Sequence, residues 1–170
     1  MATSPSVVLI GPPASGKTKI GRAIARLLGL PFVDTDSIIT ERHGPITDIF
    51  ASQGEGWFRE REAEVVAECL QQSGVLSLGG GAIVTETTRN ALRGQPVVLL
   101  VISEEAVSHR VENSAKRPLL AGGLESWKAL VSSRMAWYQD CAEHQIDVSH
   151  RPVEDVAAEV VSWVEKRGTR

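Results

Sequence analysis

Gly11-Pro-Pro-Ala-Ser-Gly-Lys-Thr18 reads G-x-x-x-x-G-K-[ST], and it directly follows the apolar run Ser6-Val-Val-Leu-Ile10. Downstream, Ile20, Ala23, Ile24, Leu27 and Leu28 recur at helical spacing. Strand, glycine loop and helix in that order form the context in which this spacing binds nucleotide phosphates. Gly11 and Gly16 let the backbone curl, and successive N–H groups then converge on an anion at a positive helix end. Lys17 adds a point charge for the β- and γ-phosphates, and Thr18 offers a hydroxyl to Mg²⁺. Gly11, Pro12, Pro13, Ala14, Ser15, Gly16, Lys17 and Thr18 are therefore the expected nucleotide-binding residues.

The rest of the chain limits what such a loop can serve. The 170 residues are 42% hydrophobic and 23% charged, which suits one domain with a sizeable core. A formal net charge of −3 gives no basic field for nucleic acid. No apolar run approaches a membrane span, and Met1-Ala-Thr-Ser-Pro5 carries no secretory pattern. Cys69 and Cys141 lie in helical patterns and are expected as reduced thiols in a cytoplasmic protein. His43, His109, His144 and His150 are scattered and read as surface residues, and the four tryptophans read as packing residues in helices.

Pro31-Phe-Val33 is a short strand that delivers Asp34-Thr-Asp36. If the triplet stays extended, the two carboxylates face the same way, next to the phosphate loop. There they can hold Mg²⁺ water or take a hydroxyl proton; alternatively one of them caps a helix beginning near Ser37. Short helices are expected at Ser37–Arg42 and Ile46–Gln53, and a long one from Trp57 to Gln72. Arg59 and Glu62, three apart in that helix, can form a steadied anion fork or a solvated charged turn. Val75-Leu-Ser-Leu78 opens into Gly79-Gly80-Gly81, either a close approach of ligand to bare backbone or a flexible turn.

Thr85–Arg93 reads as an exposed helix and Pro96–Ile102 as a strand buried on both faces. Helix Glu104–Glu112 precedes Asn113–Gly123, whose Lys116-Arg117-Pro-Leu-Leu120 suits a mobile lid or an ordinary surface loop. Leu124–Ala142 is a helix carrying Arg134, and Gln145–Val148 is the last strand. Val153, Val156, Ala157, Val160, Val161 and Val164 stripe a final helix opened by Pro152, with a frayed tail from Lys166. Strands alternating with helices predict an α/β fold with a parallel sheet covered on both sides. Asp34, Asp36, the Gly79–Gly81 turn and the phosphate loop should then open on one rim.

Taken together, these motifs resemble the shikimate kinases, in the nucleoside-monophosphate-kinase-like P-loop family. The resemblance spans nearly the whole chain through Gly11–Thr18, Asp34-Thr-Asp36, Phe58-Arg59 with Glu62, Leu78-Gly-Gly-Gly-Ala82, Arg117-Pro-Leu-Leu120 and Arg134. It implies a three-layer P-loop kinase fold with a five-stranded parallel sheet of order 2-3-1-4-5. Residues 1–170 would form one domain, with substrate-binding at about 34–62 and a lid at about 113–124. It implies transfer of the ATP γ-phosphoryl to the 3-hydroxyl of shikimate, in aromatic amino-acid biosynthesis. Lys17, Asp36 and Arg117 would be catalytic, and Thr18 and Asp34 (through water) would hold Mg²⁺. Asp36, Arg59, Gly79, Gly80, Gly81 and Arg134 would bind shikimate, Arg59 and Arg134 by clamping its carboxylate. Arg110 and Arg151 fall near adenine-contacting positions. The partners are shikimate and ATP, with neither nucleic acid nor membrane, for a monomeric enzyme. Pro12-Pro13-Ala14 departs from the family's more glycine-rich loop, which would stiffen it.

The competing readings are a gluconate-type sugar-acid kinase and a catalytically silent nucleotide-binding module or switch. A guanine-specific switch would carry Asn-Lys-x-Asp and Asp-x-x-Gly, and the chain has neither.

Overall fold

Val7 and Leu9 pack into one apolar layer and Val8 and Ile10 into the other, so β1 (Val7–Ile10) is buried on both sides. This follows from the period-two alternation of strand side chains in a run with no polar face. A computed structural model describes residues 3–112 and 122–169. After β1 come α1 (Lys17–Leu28), β2 (Phe32–Asp34), α2 (Thr35–His43), α3 (Ile46–Cys69), β3 (Val75–Ser77) and a 3-10 turn at Ala82–Val84. Then follow α4 (Glu86–Ala91), β4 (Val97–Val101), α5 (Glu104–Glu112), α6 (Gly123–Cys141), β5 (His144–Asp147) and α7 (Val153–Gly168).

The five strands form a parallel sheet in the order β2-β3-β1-β4-β5, as the resemblance implied. On one face, α1 and α7 bring Ile20, Ile24, Val156 and Val160 onto Val7, Leu9, Val98 and Leu100. On the other, Ile39 of α2, Val65 and Val66 of α3 and Leu70 just after it meet Val8, Ile10, Leu76 and Leu99. A strand order that reverses direction at β1 leaves a crevice at the carboxyl ends of β1, β3 and β4, where the phosphate loop lies.

Several expected boundaries differ from those observed. The Asp34-Thr-Asp36 triplet is not extended: Asp34 ends β2, while Thr35 and Asp36 open α2. The Asp34 carboxylate causes this, because its Oδ1 accepts from the Asp36 and Ser37 backbone N–H groups at 2.9 and 3.4 Å and caps the helix. The helices expected at Ile46–Gln53 and from Trp57 run together as α3, kinked at Gly54 (φ 82°). Helix α4 is not wholly exposed, since Thr88 and the following Leu92 are buried. The tail does not fray at Lys166; α7 continues to Gly168. The lid expected at about 113–124 lies outside the described residues up to 121, and Gly123 already belongs to α6. Cys69 and Cys141 are free thiols. Among the described residues, no helix is long and apolar enough to cross a membrane.

Candidate active site

The phosphate loop joins β1 to α1, and Gly16 supplies the left-handed residue (φ 84°) before the helix starts. Lys17 Nζ donates back to the Gly11 and Pro12 carbonyls at 2.8 and 3.1 Å. Burial lowers the Lys17 pKa to about 8, although the Asp36 and Asp34 charges pull it upward. Thr18 Oγ1 donates to Asp34 Oδ2 at 3.1 Å. Asp34 thus caps α2 with one oxygen and faces the phosphate loop with the other.

Asp36, in the first turn of α2, lies against the glycine turn after β3. A methyl group at Gly79 would sit 2.5 Å from Asp36 Oδ1, so only glycine allows this approach. The turn is fixed from below by Thr35, whose buried Oγ1 accepts from the Gly79 N–H at 3.1 Å. Burial raises the Asp36 pKa, and the Asp34 charge adds to the shift, against the opposing pull of Lys17 and Arg59.

Two arginines from distant helices reach the same turn. The Arg59 guanidinium packs directly against Gly81, where no Cβ would fit. Arg59 Nη1 donates to Glu62 Oε1 at 2.7 Å, and its Nε lies 3.5 Å from Glu55 Oε1. Glu62 is buried, which makes this a fixed fork in place of a solvated turn. From α6, Arg134 Nη1 donates to the Gly80 carbonyl at 3.3 Å, and the buried Tyr138 hydroxyl donates to the same oxygen. Gly80 in turn packs against the Pro13 ring of the phosphate loop.

Gly11–Thr18, Asp34, Asp36, Arg59, Gly79–Gly81 and Arg134 therefore gather on one rim of the sheet. Arg110 joins them, with Nη1 donating to the Ala14 carbonyl at 2.6 Å. Arg151 is engaged elsewhere: it pairs with Glu159 at 2.7 Å and donates to the Asp147 carbonyl at 3.3 Å. Arg117 lies outside the described residues. Three further residues serve the site: Thr35, quoted in the sequence only as part of its triplet, Trp127, expected only as packing, and Tyr138, for which no role was expected. Trp127 Nε1 donates to the Pro13 carbonyl at 2.9 Å. Trp127, Arg134 and Tyr138 are spaced i, i+7 and i+11, one face of a helix, and that spacing was the available signal.

A phosphate loop at the carboxyl edge of a 2-3-1-4-5 sheet, facing a carboxylate and two arginines, defines a P-loop small-molecule kinase. The chain belongs to the shikimate kinase family, which it matches over residues 13–165. A shikimate kinase of Mycobacterium avium is 44% identical over 163 residues, covering 94% of this chain and 93% of its own. The structure of shikimate kinase from Acinetobacter baumannii in complex with shikimate superposes with a TM-score of 0.86 at 29% identity, covering 99% of this chain and 96% of that one. A gluconokinase from Sinorhizobium meliloti gives a TM-score of 0.65 at 20% identity, covering 99% of this chain and 96% of its own. At that identity the likeness is one of fold.

Proposed function

We propose that the chain transfers the γ-phosphoryl group of ATP to the 3-hydroxyl of shikimate, giving shikimate 3-phosphate and ADP. The observation that carries this reading is the glycine turn Gly79–Gly81. It touches Asp36 on one side, Arg59 on the other, Arg134 at its carbonyl and Pro13 of the phosphate loop. An acceptor seated there meets a carboxylate at its hydroxyl end and two guanidinium groups at its acid end, next to the nucleotide.

In the reaction, the Asp36 carboxylate orients the acceptor hydroxyl and takes its proton as the new oxygen–phosphorus bond forms. The bond from the γ-phosphorus to the bridging oxygen breaks, and its electrons leave on ADP. Lys17 exchanges the Gly11 and Pro12 carbonyls for phosphate oxygens and neutralises charge on the transferring group. Arg59 and Arg134 clamp the substrate carboxylate, and the buried Glu62 keeps Arg59 aimed. Thr18 Oγ1 and Asp34 Oδ2 form a hard-oxygen pair that fits Mg²⁺, the aspartate acting through water. Mg²⁺ held there would supply positive charge to offset that of the phosphates. Arg110, already on the loop, is assigned to the nucleotide; Arg117 retains the lid role that its sequence motif implies.

We read the whole chain as one domain with its acceptor region at about 34–62. A monomer suffices, because every assigned residue comes from one chain. The free thiols Cys69 and Cys141 fit the cytoplasm.

A coupled ADP-release assay over a panel of small hydroxy acids tests the reading. Turnover with shikimate and little with gluconate is expected. Preferential turnover of gluconate would replace the substrate assignment, and nucleotide binding without turnover on any acceptor would make the chain a silent module.

A further inference from the structure

The carbonyls in the first half of the phosphate loop all point onto side-chain donors. Lys17 holds Gly11 and Pro12, Trp127 holds Pro13, and Arg110 holds Ala14. This arrangement has an electrostatic purpose. A loop that presents N–H groups to phosphate must turn its carbonyls away, since an inward carbonyl would repel the anion. The demand is sharper here because Ala14 is a non-glycine residue at positive φ (69°). That conformation costs an alanine roughly 1 kcal/mol or more, so the loop favours relaxation unless something holds it.

The three donors differ in what nucleotide binding does to them. Lys17 and Arg110 are cations assigned to the nucleotide, so each exchanges its carbonyl for a nucleotide contact. Trp127 carries no charge, and its indole is packed into the core at 5% exposure, with a single N–H to give. Its bond to Pro13 involves no charge that a phosphate could draw away.

We propose that Trp127 is a positioning residue for phosphoryl transfer: its indole N–H holds the Pro13 carbonyl outward and keeps the strained phosphate loop shaped for nucleotide. The inference rests on the nucleotide reading of the loop, and it goes beyond that reading by assigning a residue from α6 that acts through the Pro13 carbonyl.

The test uses Trp127→Phe and the isosteric Trp127→benzothienylalanine, which replaces the indole N–H with sulfur and preserves ring volume. ADP and shikimate affinities are measured separately by calorimetry, alongside the melting temperature. Both variants should bind ADP about three- to tenfold more weakly, the loss expected for one neutral hydrogen bond. Shikimate affinity in the absence of nucleotide should be unchanged. Unchanged ADP affinity in the isostere overturns the assignment, as does a parallel fall in ADP and shikimate affinity, which would mark a packing role. If Trp127→Phe fails to fold, the isostere decides alone. Failure of the unaltered protein to bind ADP would overturn the nucleotide reading itself.

Discussion

Glu62 accepts from the Arg59 guanidinium at 2.7 Å, with the Glu62 side chain 2% exposed and the Arg59 side chain 15% exposed. A charged pair this enclosed fixes the direction of the arginine. Burial pushes the Glu62 carboxyl above the ordinary glutamate value, and Arg59 offsets only part of that. As pH falls through this raised value, Glu62 becomes neutral and its hold on Arg59 weakens. The KM for shikimate should therefore rise on the acid side at a higher pH than an ordinary glutamate would titrate. In Glu62→Gln that acid limb should disappear, with KM raised severalfold at all pH values. The stability sign follows from the same shift. The contribution of Glu62 is fully present below the unfolded glutamate pKa and is lost as pH rises through the folded one. Melting temperatures of Glu62→Gln should accordingly gain on the unaltered protein with rising pH.

Arg59→Ala and Arg134→Ala should each raise the KM for shikimate while leaving the KM for ATP nearly unchanged. Hydrogen bonds to charged groups contribute about 1.5–3 kcal/mol, which corresponds to roughly ten- to a hundredfold in KM. Tyr138 still holds the Gly80 carbonyl in Arg134→Ala, so the glycine turn should keep its place. An acceptor analogue without the carboxylate closes a double-mutant cycle with Arg59→Ala. Additive losses would show that the arginine and the carboxylate do not meet.

Asp34 has two separable duties. Its Oδ1 caps α2 and its Oδ2 faces Thr18. Asp34→Asn retains a capping acceptor but loses the negative charge beside the phosphate loop. It should melt close to the unaltered protein and require more Mg²⁺ for half-maximal rate. Asp34→Ala should show the same Mg²⁺ defect and also lose about 0.5–2 kcal/mol of stability. Equal Mg²⁺ titrations for all three proteins would remove Asp34 from the metal.

These variants also mark which contacts the sequence could reveal. The phosphate loop was legible because its chemistry lies in consecutive backbone groups, and Arg59 with Glu62 was legible because i,i+3 neighbours meet on any helix. For Asp34 and Asp36 the sequence left an extended triplet and a helix cap both open, and the cap prevailed: the strand stops at Asp34, and Thr35 and Asp36 open α2. Trp127 and Tyr138 share a helix face with Arg134 that the spacing reveals, but what that face meets was out of reach. Their partners Pro13 and Gly80 are 114 and 58 residues away, and only the tertiary fold decides that α6 crosses both loops. Arg151 shows the converse, since its partners Glu159 and the Asp147 carbonyl are close to it in sequence.

Nucleotide binding at pH 8 should take up protons. Burial holds Lys17 at about 8, so close to half of the lysine is neutral at that pH in the free protein. Phosphate anions favour the charged form and raise the pKa, drawing a proton from buffer. Calorimetric ADP titrations in buffers of different ionisation enthalpy measure the uptake. It should diminish toward pH 6, where Lys17 is already charged, and be absent in Lys17→Met. Equal uptake in that variant would place the titrating group elsewhere.

Asp36→Asn should separate catalysis from stability. An amide cannot accept the hydroxyl proton, so kcat should fall by roughly 10²- to 10⁴-fold. The KM for shikimate should change less, because Arg59 and Arg134 carry the substrate carboxylate. The fold should not suffer. Burial first, and then the Asp34 charge, raise the Asp36 pKa, so the folded state favours the neutral carboxyl. The stabilising contribution of Asp36 is present below the unfolded aspartate pKa and disappears as pH rises through the folded value. At neutral pH the charged side chain is a net cost, which the neutral asparagine removes. Asp36→Asn should therefore melt higher than the unaltered protein at neutral pH, and the advantage should shrink as pH falls toward the ordinary aspartate range. A variant that melts higher yet turns over slowly cannot owe its lost rate to unfolding. If kcat is retained, Asp36 only positions the hydroxyl, and the proton leaves by another route.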